Sequence, residues 1–398
     1  MKRKEKFILM YQDFAILSFN VDFNKSEVEV IQKLEHFAKA PKCIIESSDD
    51  NLDLALLRFT NGRSIPVTRA DYEEILKATS CKTSFELSFK GHGLSLSNHY
   101  WYKKEDENIT YKDINFFTNK WDDSFARAVL NQDYQALKHA DINVPDIVTP
   151  GWGVKGWIYE KDGPKLYKLG IHKDHFEEAL GEVVASKIAT CLFNEGEVLK
   201  YELKKIGNRY ASVSSLMINI DEDLIPLSEY IDHKTYNLYR DKAINKELSK
   251  EFFEVIKNSG IPGLYEFFIK ITCLRDLCFA SDLHFENISL IKNAKTNKIR
   301  IAPIYDLGGA FGSGRTGQNL IANPNSGVLM LVYFLFNDLD PSWDYSWYEP
   351  NKLIGIEDEI RNTLSKSPFY TSFLIDRIIE VYQHQKATLD EMASKNNK

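Results

Sequence analysis

The chain has no long apolar run, no paired-cysteine motif and no excess of positive charge, and each absence removes a class of protein. No uninterrupted apolar stretch approaches the roughly 18 residues that a membrane-spanning helix needs. The N-terminal MKRKEKFILMYQDFAIL opens with positive charge, but Gln12 and Asp13 cut its apolar run too short for a signal peptide. A cytoplasmic protein that engages no membrane is the expectation. The five cysteines (Cys43, Cys81, Cys191, Cys273 and Cys278) are odd in number, scattered and without CxxC spacing, so neither a disulfide framework nor a structural zinc site is expected. With a net charge of −7 there is no global basic field, and direct nucleic-acid binding is not expected. The chain carries no internal repeat and no low-complexity tract.

What is present is ordinary globular composition, 43% apolar and 13% aromatic, in a chain whose 398 residues call for two or three folding units. Residues 1–145 read as an N-terminal accessory module. Within it, FAILSFNV and LDLALLRF read as strands, and SEVEVIQKLEHFAKA reads as an amphipathic helix through Val28, Ile31, Leu34 and Phe37, with Ser26 as its N-cap. The stretch FELSFKGHGLSLSNHYWY alternates like strands around a Gly-His-Gly turn, with Tyr100, Trp101 and Tyr102 assigned to the module core.

Residues 146–232 form the second expected segment, marked off by Pro145 and Pro150. VTPGWGVKGWIYEKDGPKLYKLG predicts a hairpin turning at Lys161-Asp162-Gly163-Pro164, and HFEEALGEVVASKIATCLF predicts a helix. YELKKIG and RYASVSSLMINI predict two further strands, and Asp221-Glu222-Asp223 reads as a solvated loop. Residues 233–398 are expected to be largely helical, with Cys273 and Cys278 in the core and a last helix over about Phe373 to Ser394.

The chemistry concentrates in SDLHFENISLI. After Asn287 the runs ISLI and IRIAPI, separated by the polar KNAKTNK, predict an antiparallel hairpin followed by YDLGGAFGSG. In such a hairpin the start of the first strand lies beside the end of the second, which brings Asn287 toward Asp306 although 19 positions separate them. An amide and a carboxylate oxygen side by side suit a hard divalent cation such as magnesium. With Asp282 on the preceding loop, the set matches what phosphoryl transfer needs: one aspartate for the attacking hydroxyl, and two oxygen ligands for the metal that bridges the phosphates. Upstream, Lys168 sits on an apolar strand, and Glu182 lies among the small residues Ala179, Ala185, Ser186 and Ala189. A Lys168–Glu182 ion pair would hold the lysine toward the nucleotide phosphates. The turn TPGWGVKG could lay backbone amides over them.

These residues resemble the HipA-like serine/threonine kinases, the persistence-toxin family, together with the CtkA-like proteins. The resemblance runs from about residue 147 to 390. It is carried by D282-L-H-F-E-N287, I-Y-D306, L-Y-K168, G-E182-V-V-A and the turn G151-W-G-V-K155, which is similar to the family's phosphate loop. It implies a bilobal, protein-kinase-like α+β fold, with a kinase N-lobe over 146–232 and a helical C-lobe over 233–398. It also implies Asp282 as catalytic base, Asn287 and Asp306 as magnesium ligands, and Lys168 and Glu182 as the ion pair, with Glu177 and Glu178 as alternatives to Glu182. Gly151, Gly153, Lys155, Met217 and Asn219 are the further nucleotide-binding candidates. ATP and magnesium are the implied cofactors, a protein the implied substrate, and an antitoxin a candidate partner. Autophosphorylation near the phosphate loop would fall on Thr149. The chain departs from the pattern at Leu283 and at Glu286, where family members often carry arginine and lysine.

Blander assignments stand beside these. Asp282 and Asn287 are also common turn formers, Lys168 could be a solvated lysine on an edge strand, and His284 reads as a brace for its loop. A small-molecule kinase of the aminoglycoside or choline type shares the D-x-H-x-x-N spacing, and Glu286 keeps a nucleotide-binding pseudokinase in view.

Overall fold

The computed structural model describes residues 4–170, 178–231, 235–238, 246–280, 285–313 and 339–396. The chain forms two compact units. The first comprises Met1–Lys168 with Ile218–Leu224 and Asn293–Lys295, and the second comprises Leu169–Met217, Ile225–Lys292 and Thr296–Lys398. The sequence expectation was three segments meeting near residues 145 and 232.

The first unit is built on β1 (Lys4–Tyr11), β2 (Phe14–Asp22), β3 (Glu27–Lys33) and β4 (Tyr100–Lys104), in the order β3-β2-β1-β4. The three pairings are antiparallel, with Phe7 opposite Phe19 and Leu9 opposite both Leu17 and Tyr102. Alternation puts Phe7, Leu9, Phe19, Val21 and Tyr102 on one buried face. There Phe89 stacks 4.5 Å from Tyr102 and lies 4.8 Å from Phe7.

Three local assignments are corrected. Residues 27–33 form strand β3 rather than a helix, with Val28 opposite Val21 and Val30 opposite Phe19. Its β-branched Val28, Val30 and Ile31 suit a pleated surface, and Val28 alone is buried. Ser26 is therefore no N-cap but a turn residue with φ of 56°. LDLALLRF forms helix α1 (Leu52–Asn61), whose buried Leu52, Ala55, Leu56 and Thr60 recur at helical spacing. Ser84–Lys90 is helix α2 rather than a strand. At its start the Glu86 N–H donates to Thr83 Oγ1 (3.1 Å), the N-cap bond, and the Glu86 carboxylate reaches back to accept the Lys82 N–H (3.1 Å). Trp101 and Tyr102 are core residues, as expected.

The first unit continues through α3 (Ser124–Asn131), β5 (Val154–Glu160) and β6 (Gly163–Gly170), the last two being the expected strands of the 148–170 stretch. The DED segment needs the largest correction. Asp223 is buried rather than solvated: its Oδ2 accepts the Tyr11 hydroxyl (2.5 Å), and its Oδ1 faces His99 Nδ1 (2.6 Å) and accepts the His99 N–H (3.1 Å). The Leu224 N–H donates to the Ser97 carbonyl (2.7 Å), so the segment is fixed by backbone as well as by side chain. Burial, then Asp223 itself, pushes the Tyr11 hydroxyl pKa well above its ordinary value.

In the second unit, α4 (Glu178–Leu192) buries Leu180, Val183, Val184, Ile188 and Leu192 as its periodicity predicts. The hairpin of β7 (Tyr201–Ile206) and β8 (Arg209–Ser215) follows, with Tyr201 opposite Ser214. The chain leaves this unit after Met217, returns to it through β9 (Glu222–Pro226), and then forms α5 (Lys246–Lys257) and α6 (Leu264–Cys278). The hairpin of β10 (Ser289–Asn293) and β11 (Ile299–Ile301) comes next, and α7 (Ile356–Leu364) and α8 (Ser372–Asn396) close the chain. Cys273 and Cys278 lie in this unit's core, where burial raises both thiol pKa values. Among the described residues no helix is long and apolar enough to cross a membrane.

Candidate active site

The predicted hairpin exists, and its register sets the site. Leu290 pairs with Ile301 and Ile291 with Arg300, and the Ala302 N–H donates to the Ser289 carbonyl (2.9 Å), so Asn287 and Asp306 flank the same end of the ladder. Tyr305 fastens that end: its hydroxyl lies 2.7 Å from Ser289 Oγ and 3.3 Å from the Glu286 carbonyl. Antiparallel pairing and one tyrosine thus set the end of the hairpin from which Asn287 and Asp306 extend.

Asn287 closes the short turn Phe285–Asn287 and is buried. Phe285 pins this turn to the core, its ring 6.0 Å from Phe268 and 6.2 Å from Phe252. Asp306 is held from the other side. The Ile304 N–H donates to the Glu197 carbonyl (2.8 Å), the Leu199 N–H donates to the Ile304 carbonyl (2.9 Å), and the Asp306 N–H donates to the Tyr201 hydroxyl (3.1 Å). Asp306 has φ of 54°, in the left-handed region that aspartate and asparagine tolerate better than most side chains. Such backbone persists where its surroundings over-determine it, often at functional sites. Asp306 is half-buried, so its carboxylate keeps access to solvent and ligands. Glu286 is exposed. Asp282 and His284 lie outside the described residues.

Glu182 is buried on α4 and accepts the Ser212 hydroxyl of β8. Glu177 lies outside the described residues, and Glu178 opens α4. Lys168 is half-buried on β6 in the first unit, whereas Glu182 belongs to the second. Beside Glu182, Gly181 lets α4 approach the segment following Asp306: a Cβ there would run into the Ala310 carbonyl and lie 3.3 Å from Ser313 Oγ. Gly181→Ala is expected to cost about 1–3 kcal/mol of stability through this overpacking and to lower activity, measured by thermal unfolding beside the transfer assay.

The turn 150–155 belongs to the first unit. Gly151 has φ of 98°, and the Lys155 ammonium folds back beneath it to donate to the Pro150 carbonyl (2.7 Å). Gly153 is half-buried and Trp152 exposed. Below the turn, Asp146 Oδ1 accepts the Trp157 N–H (2.9 Å), and the Thr149 hydroxyl donates to the Pro145 carbonyl (3.0 Å). Burial pushes the Asp146 pKa up to about 7, against the lowering effects of the Trp157 N–H and of Arg69. Sequence reasoning missed Asp146 and Arg69, because a lone aspartate before a proline-bracketed turn reads as loop. Met217 is half-buried in the second unit, and Asn219 is an exposed turn residue whose amide donates to Glu222 Oε2 (2.9 Å).

The donor set at Asn287 and Asp306 fits magnesium: one amide oxygen and one half-buried carboxylate leave positions for water and phosphate oxygens.

The architecture mixes helices and sheets. It is similar over its whole length to HipA from Shewanella oneidensis MR-1, solved as a toxin–antitoxin system with HipB and its operator DNA. The TM-score is 0.51 at 10% identity, covering 98% of this chain and 99% of that one. A second similar structure is the Helicobacter pylori proinflammatory kinase CtkA, with TM-score 0.43 and 16% identity over 60% of this chain and 93% of that one. The likeness to HipA shows the expected HipA-like fold. No protein-family model matches the chain, and no curated protein matches it. The expectation of no direct nucleic-acid binding gains no support, since the HipA structure includes DNA.

Proposed function

We propose that the chain is an ATP- and magnesium-dependent serine/threonine protein kinase of HipA-like type. The observation that carries this is the hairpin end at which Asn287 and a left-handed Asp306 flank one ladder, fastened by Tyr305 and Tyr201. Magnesium, when bound, bridges the phosphates and offsets the charge that develops as the γ-phosphoryl group moves. Asn287 and Asp306 would hold it, Asp282 would orient the protein hydroxyl and take its proton, and Lys168 and Lys155 would neutralise phosphate charge. Lysine does not stand before Asn287, so one cation fewer faces the transferring group and slow turnover is expected. An antitoxin partner is proposed by analogy with HipA in its complex with HipB. Thr149 is the proposed autophosphorylation site, and its buried hydroxyl requires the 150–155 turn to lift first.

Incubation of wild type and Asp282→Ala with γ-labelled ATP and magnesium, alone and with cell extract, tests the substrate class. Label on protein that disappears in the variant is the expected result. Label confined to small molecules would replace the protein-kinase assignment with a small-molecule kinase, and a phosphate-free 148–156 peptide would remove Thr149.

A further inference from the structure

The 150–155 turn is tied down from beneath by two buried side chains, Asp146 and Arg69. The Arg69 guanidinium is anchored by Asp71 (Nε to Oδ1, 2.7 Å) and donates through Nη2 to the Lys155 carbonyl (3.0 Å). The neighbouring Ala70 N–H donates to the Trp152 carbonyl (3.2 Å). Asp146 takes the other end through the Trp157 N–H. Gly156 leaves no space between them: a Cβ there would lie 3.2 Å from Asp146 Oδ1 and 2.8 Å from the Ala126 methyl on α3. Yet this seat is incompletely paired, because Asp146 Oδ2 and Arg69 Nη1 are both buried without a hydrogen-bond partner.

We propose that Arg69 and Asp146 are positioning residues for the 150–155 turn, and that loss of the Asp146 proton releases the turn, so that phosphate binding weakens as pH rises. The nucleotide half of this proposal rests on the phosphate-loop role given to the turn above. The physical cause is desolvation: a buried carboxylate with one oxygen unpaired is costly, and opening the seat so that water reaches that oxygen relieves the cost. The charged groups that act most on Asp146 are Arg69, which favours its ionised form, and Asp123 at the start of α3, which opposes it; from β5 the Trp157 N–H donates to Asp146 Oδ1. Burial outweighs these and places the titration near neutrality. Since the folded-state pKa is raised, the stabilisation belongs to the protonated form, present at low pH and lost as pH climbs toward 7.

Hydrogen exchange of the 150–157 segment in the full chain, corrected for intrinsic rates, reads the turn without nucleotide. Between pH 6 and 8 the wild-type segment is expected to lose protection by roughly fivefold or more, while Asp146→Asn, which keeps the volume and an acceptor for Trp157, stays flat. Calorimetric affinity for a magnesium-loaded non-hydrolysable ATP analogue should fall with pH in step with the wild-type exchange. A wild-type segment whose protection does not change with pH overturns the proposal without reference to any variant, as does an equal slope in Asp146→Asn. Exchange that behaves as expected while no analogue binds at any pH would overturn the phosphate-loop role and the nucleotide half alone.

Discussion

Asp223→Ala is expected to lower the stability of the first unit by about 3–5 kcal/mol, the range for removing one partner from a buried, hydrogen-bonded charge. The carboxylate accepts from the Tyr11 hydroxyl on β1 and from the His99 backbone N–H, and it meets the His99 imidazole on the approach to β4. Alanine would strand a buried phenol and a buried imidazole together, and each unsatisfied group costs about 1–3 kcal/mol. His99 has no relief elsewhere, since its Nε2 is already buried without a partner and Phe117 stacks 5.0 Å from its ring. Asp223→Asn keeps the volume and one acceptor oxygen and should lose markedly less. Urea unfolding of the three proteins checks the order. A shift for Asp223→Ala within about 0.5 kcal/mol, as at an ordinary surface site, would mean that the network is dispensable.

The largest effect on activity is expected at Asp306. Asp306→Asn removes a full charge and should lower phosphoryl transfer by roughly a thousandfold, the scale on which one group aimed at developing charge acts. The choice of asparagine follows from the backbone: at φ of 54° asparagine is tolerated nearly as well as aspartate, so the Tyr201 contact to the backbone N–H and the hairpin should survive. Alanine would mix lost charge with backbone strain. Asn287→Ala should show a similar loss of transfer, and in both variants the thermal midpoint should stay within a few degrees of wild type. A large fall in that midpoint would assign these residues a structural role instead.

Legibility of the fold varied with the kind of signal. The β10–β11 hairpin could be read because two short apolar runs flank an unambiguous polar turn, and antiparallel geometry then dictates what meets at its ends. Helix α4 could be read because its large apolar residues Leu180, Val183, Val184, Ile188 and Leu192 recur at helical spacing, although the helix is buried on nearly all sides over 179–186. The segment 26–40 failed because Val28, Ile31 and Leu34 keep helical spacing while Val28 and Val30 also alternate as a strand does, and the pairing with β2 that decides between them is non-local. At 52–59 the alternating Leu52, Leu54 and Leu56 imitated a strand, whereas burial at Leu52, Ala55, Leu56 and Thr60 follows the helix. Thr83 and Glu86 offered a capping signal that the apparent alternation of 85–102 obscured. Asp223 was illegible for a deeper reason. Three consecutive acids read as solvated, and the partners that bury one of them lie 124 and 212 positions away.

The most direct test of the central claim is a single-turnover measurement of γ-phosphoryl transfer from ATP by wild type, Asp282→Ala and Asp306→Asn, with magnesium and after its removal by chelation. Transfer that requires magnesium and falls by three orders of magnitude or so in both variants, with folding retained, is the predicted result. Transfer of equal rate in all three proteins, or none in wild type despite bound nucleotide, would contradict it.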